Sequence, residues 1–142
     1  MNLDYSKKYA DVCIRIPLGF HLVYGVQDNI FSWDDMLVFR DFLESYQFPF
    51  PLIAAHISVY TQFICGVLFI LGYKTKYAAL MMICNFIIAI IAVHLDDPYP
   101  NKFPAIMMLF GSFYMLLQGD GYYTIKILTN RLKSKQRNLP LS

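Results

Sequence analysis

Asp11 and Arg15 stand four residues apart in Tyr9 to Asp28, a stretch otherwise apolar enough to cross a bilayer. A charge at that depth costs several kcal/mol unless it snorkels or finds a partner, so it marks a place of function or of fastening. The i, i+4 spacing puts the carboxylate one turn below the guanidinium on the same helical face. Gln62 and Asn85 interrupt two further apolar stretches. With a helical rise of ~1.5 Å per residue, Arg15 lies on the order of 9 Å above the inner boundary, Asn85 about 12 Å and Gln62 roughly 15 Å. An arginine side chain spans those differences, so Arg15, Gln62, Asn85 and Asp11 form a candidate polar pocket. Two chemistries fit it. Asp11 can neutralise Arg15 while amides or free carbonyls satisfy the rest, which is hydrogen-bonded glue between helices. Alternatively, Arg15 is the floor of a pocket for an anionic or carbonyl-bearing ligand, such as a quinone head group.

The histidines sort to the other side. His56 opens the second apolar stretch, His94 closes the third, and His21 sits about 10 Å below the outer boundary by the same rise. Imidazole can bind zinc, copper or iron, but no H-x-x-H or H-x-x-x-H pair occurs, so each ligand would come from a different helix. No metal site is therefore assigned. Interfacial histidines satisfied by loop carbonyls are the commoner case, and a proton acceptor at His21 or His94 is the functional alternative. Cys65 and Cys84 come out at similar depth and could touch. Buried cysteine, however, mostly behaves as a small hydrophobe. There is no C-x-x-C and no even-numbered cysteine framework.

Placing these groups requires a membrane. The chain is 57% hydrophobic and 15% charged, against about 25% charged in a typical soluble domain. Four apolar stretches, about 9–27, 52–72, 77–94 and 103–119, lie near the ~20 residues that a ~30 Å hydrocarbon core requires. Pro17 should kink the first. Ser32-Trp33-Asp34-Asp35 reads as a capped helix start, and Met36, Phe39, Leu43 and Tyr46 recur at helical spacing among Arg40, Asp41 and Glu44. That predicts a short amphipathic surface helix over about 33–46, ended by Phe48-Pro49-Phe50-Pro51. Residues 28–50 as a whole read as the longest polar connection, and Leu95 to Lys102 as an acidic, proline-broken loop. The first stretch lacks a small-residue exit site, so it should stay as a span and not act as a cleaved signal.

The basic residues orient the spans. Lys7, Lys8, Lys74, Lys76, Lys126, Arg131, Lys133, Lys135 and Arg137 fall on one side; only Arg40 and Lys102 fall on the other, beside seven acids. Positive residues mark the cytoplasmic side. The expected fold is thus an all-α membrane protein, a single domain over 1–142. It is a four-transmembrane-helix bundle, N-in and C-in, with the short outer helix between spans 1 and 2. The basic tail at 120–142 would meet anionic lipid and not nucleic acid.

Several motifs resemble the DoxX family of small four-span bacterial membrane proteins. Arg15-x-x-Leu18-Gly19 followed by Tyr24-Gly25 is similar to its arginine–glycine–glycine signature. Gln62-x-x-Cys65-Gly66, then Leu71-Gly72-Tyr73-Lys74-Thr75-Lys76, resembles its Glu-x-x-Gly-Gly and Leu-Gly-x-x-Thr-Arg stretch. His94 falls where the family often ends a helix, and Gly119-Asp120-Gly121-Tyr122-Tyr123-Thr124-Ile125 resembles its closing Gly-x-Gly-x-Tyr-Ser-Leu. Two positions depart: Gln62 stands where the family has an acid, and Asp28 where it has a lysine. An amide can hydrogen-bond Arg15 but cannot titrate.

The resemblance implies a bacterial inner-membrane protein that is redox-linked and quinone-associated, with other membrane or redox subunits as partners. The residues themselves contain no certain cofactor motif, and a quinone is the class the polar cluster would suit. The alternative is a non-catalytic accessory or assembly subunit of a larger membrane complex. A small-solute carrier is the weaker reading, because four spans without an internal repeat or two broken helices lack the usual transporter signs.

Overall fold

The computed structural model describes residues 3–121 and 124, with side chains from Tyr9 onward. The tail read from the sequence at 120–142 therefore lies mostly outside the described residues. Within them the chain is all-helical: α1 Leu3–Phe31, α2 Trp33–Ser45, α3 Pro51–Leu71, α4 Thr75–Ala92 and α5 Tyr99–Gln118. The four long helices form a ring in the order α1, α3, α4, α5, and α2 lies across α1 and α3. Two of them, α3 and α4, are long and apolar enough to cross a membrane. α1 and α5 reach 29 and 20 residues but carry more polar groups.

The helix ends differ from the sequence reading in two instructive places. α1 continues through Pro17 and past Asp28 to Phe31, so with α2 where the surface helix was expected, only Ser32 and 46–50 of the 28–50 connection lie outside helices. Nothing between Gly25 and Ser32 breaks a helix, and the Ser32 N–H still donates to Asp28 O at 2.8 Å. α5 begins at Tyr99, inside the segment read as a loop. Pro100 sits in its first turn, where backbone N–H groups have no intrahelical acceptor and a proline forfeits nothing. Proline there starts the helix.

Ser32 caps α2. Its hydroxyl accepts from Asp35 N–H at 3.2 Å, and Asp34 and Asp35 place negative charge against the helix N-terminus. Met36 and Leu43 on the opposite face bury against Val26, Ala55, Val59 and Val93. Ser32→Ala should lower stability by about 1 kcal/mol, measured as the unfolding midpoint in detergent; an unchanged midpoint would mean that burial alone holds α2.

α1 and α3 touch backbone to backbone where Gly19 meets Gly66. A Cβ at Gly19 would lie 2.6 Å from Gly66 O, and one at Gly66 would lie 2.8 Å from Gly19 O. Small residues allow this approach, a recurrent means of packing helices in membranes. A second core of Leu22, Phe69, Met82, Phe86, Met108 and Met115 fills the ring beyond it.

Candidate functional site

The structure divides the expected Arg15–Gln62–Asn85–Asp11 pocket into two separate places. The first is a closed junction. Arg15 and Asp11 are 2% and 0% exposed, with Arg15 Nη1 3.5 Å from Asp11 Oδ2. The same Nη1 donates to Asp120 O at 3.0 Å. Two glycines with left-handed backbone pack on the pair. Gly72, the C-cap of α3, has φ +62°, and a Cβ there would overlap the Arg15 guanidinium. Gly121 has φ +71°, and a Cβ there would overlap the Asp11 carboxylate. No room remains for a ligand group between them.

The junction also organises α4. Lys74 precedes that helix in the left-handed conformation and offers no side-chain cap. Asp120 supplies one from 45 residues away, its Oδ1 accepting from Thr75 N–H at 2.8 Å and from Thr75 Oγ1 at 3.0 Å. A carboxylate there satisfies an orphan donor and opposes the helix dipole. The segment after α5 therefore ties α1, the α3–α4 turn and the start of α4 together. Thr75 and Asp120 carried no signal beyond the motifs they sit in, because trans-capping depends on where a distant segment returns.

The second place is a cavity of about 580 Å³ between the two packed cores. Gln62 and Asn85 line it, with His21, His94, Ser58 and Asn101; Arg15 and Asp11 do not. The remaining walls are apolar, among them Phe39 and Phe42 of α2. Gln62 Nε2 donates one N–H to Ser58 Oγ at 3.1 Å, which leaves its second N–H as a donor. Asn85 and His21 have no hydrogen bond among the described residues. His94 Nδ1 is 2.7 Å from Asp97 Oδ2. With Asp97 ionised, that contact holds the proton on Nδ1 and leaves Nε2 as an acceptor.

His56 stands apart from the other two histidines. Its Nδ1 is 2.8 Å from Leu52 O, and its ring packs against Trp33 and Tyr60. The three histidines read to the outer side thus become a pair at the cavity and one at a helix start. Among the described residues, no three His, Cys, Asp or Glu side chains gather as a metal would require. Cys65 is buried and Cys84 exposed, both as free thiols.

The described chain is a ring of long helices, two of them long and apolar enough to cross a membrane, tied by Asp120 to Arg15 and Thr75 and enclosing an apolar cavity with polar groups: a helical bundle of membrane-compatible composition. The DoxX family model matches residues 10–95, and the chain belongs to that membrane-associated family. The match covers α1 to α4, so Asp120 and Gly121 lie beyond it. Comparison with the curated proteins and with the solved structures found no match.

Proposed function

We propose that this protein is a four-span, redox-linked inner-membrane protein with both termini cytoplasmic, and that its cavity binds the head group of a quinone. The observation that carries the reading is the cavity itself. About 580 Å³ falls within the range of sites for drug-sized ligands, which are mostly apolar with a few placed polar groups. A quinone ring needs flat apolar walls and hydrogen-bond donors for its oxygens. Asn85 and His21 offer donors, and Phe86 and Met108 offer walls. The topology is supported by the distribution of basic residues. Arg15 and Asp11 belong, on this reading, to the fastening at the cytoplasmic end and not to the ligand.

A bound quinone supplies two-electron, two-proton carrier chemistry. The chain's own residues would orient the ring through Asn85 and Gln62, exclude water with α2, and offer His94 Nε2 as an acceptor for a proton.

Purification in mild detergent, followed by solvent extraction and an optical spectrum, tests the reading. Co-purified quinone, or saturable binding of a quinone bearing a decyl chain, is the expected result; absence of both would sink it. Asn85→Leu and Gln62→Leu should each weaken binding by ~2–10-fold, the worth of one hydrogen bond at ~0.5–1.5 kcal/mol. Arg15→Lys should leave it unchanged.

A further inference from the structure

The cavity is not walled evenly. α1 and α5 meet where Leu18 lies on Gly111, so closely that a Cβ on Gly111 would come within 2.6 Å of Leu18 Cδ1. Further along α1 the seam separates. His21 and Gly25 on α1, and Asn101 and Pro104 on α5, are exposed and line the cavity instead of each other. Gly25 leaves space there, since a Cβ on it would meet nothing within 4 Å. α2 covers α1 and α3 and not this seam. Large apolar side chains stand exposed on both flanking helices: Phe20 stacked on Tyr24 along α1, and Phe103 and Met107 along α5.

We infer that the cavity opens through the α1–α5 seam into the hydrocarbon layer, and that its ligand is a long-tailed lipid whose chain leaves beside Gly25. This rests on the quinone reading and adds the tail to it. A water-soluble ligand would need a polar path, whereas this opening is flanked by aromatic and thioether surface that suits a hydrocarbon chain. A cavity of about 580 Å³ holds a ring and the first part of a chain, so a longer chain must pass outward. Gly25 is then a specificity-determining position. Every other residue type would place atoms in the exit.

The test uses the full-length protein in one detergent, with two probes: 2,3-dimethoxy-5-methyl-1,4-benzoquinone and its 6-decyl derivative. The variants are Gly25→Phe and Gly25→Leu, both better helix formers than glycine, with a thermal melt to verify the fold. Using the same micelle throughout cancels partitioning of the decyl probe when variants are compared with wild type. The wild-type protein should bind the decyl probe at least tenfold more tightly than the chainless one. Either variant should lose at least tenfold for the decyl probe and stay within about threefold for the chainless one. Wild-type binding with no chain preference, or variants that bind the decyl probe as wild type does, would overturn the inference and leave the quinone reading standing. Failure of wild type to bind either probe would overturn both.

Discussion

Arg15→Met should be the most damaging single substitution in the chain, with a loss of about 3–5 kcal/mol, because it strands a buried carboxylate. Asp11 is fully covered by protein, and neither of its oxygens accepts a hydrogen bond among the described residues. The guanidinium 3.5 Å away is the charge that compensates it. Arg15→Met also leaves Asp120 O without its 3.0 Å donor, and that carbonyl belongs to the residue whose carboxylate caps α4. The double variant Asp11→Leu, Arg15→Met should recover more than half of the loss, since replacing a whole buried pair by apolar groups is often neutral or better. Unfolding midpoints of the three proteins in one detergent measure this. If the double variant is as unstable as the single one, the hydrogen bond to Asp120 outweighs the ion pair. If Arg15→Met is silent, the junction is not the fastening described. Because the junction does not line the cavity, the proposed quinone binding, measured per folded molecule, should be the same in wild type and in every variant that folds.

The elements that were legible in the sequence are those whose signals are local. Ser32 and Asp35 announce the start of α2 because a cap and its acceptor lie three residues apart, and the Asp11–Arg15 spacing announces an intrahelical pair. What escaped depends on where distant segments meet. Depths along three helices that an arginine side chain could span suggested that Arg15, Gln62 and Asn85 converge, but depth says nothing about rotation about each helix axis. Arg15 points to the α3–α4 turn and the segment after α5, while Gln62 and Asn85 turn into the cavity. Asp120 was readable only as the middle of a glycine motif; its role as the cap of α4 requires the end of α5 to lie beside Thr75. Gly25 was readable only as part of a family-like motif; the open space at its Cβ leaves no trace in composition or periodicity. Pro98 and Pro100 misled for a different reason. The same residue that breaks a helix interior is welcome in its first turn.

Gly72→Ala and Gly121→Ala should follow Arg15→Met in severity, because each meets two independent obstacles. An L-residue held in the left-handed region costs about 1–2 kcal/mol. The new Cβ would also overlap the ion pair, the Arg15 guanidinium in one case and the Asp11 carboxylate in the other. Forcing extra volume into a packed site typically adds ~1–3 kcal/mol. Neither side chain can retreat, because each is held by the other and buried. Gly25→Ala is the control: it lies in a helix with open space at its Cβ, so it should be neutral or stabilising by up to about 1 kcal/mol. The expected order of unfolding midpoints is therefore Gly25→Ala at or above wild type, and both junction variants well below it. Coupling gives the sharper check. In an Asp11→Ala background the overlap with the carboxylate disappears, leaving Arg15 Nη1 at 3.3 Å and the left-handed backbone cost, so Gly121→Ala should then cost clearly less. An undiminished cost would mean that backbone conformation alone selects glycine there, and that the close packing on Asp11 contributes nothing.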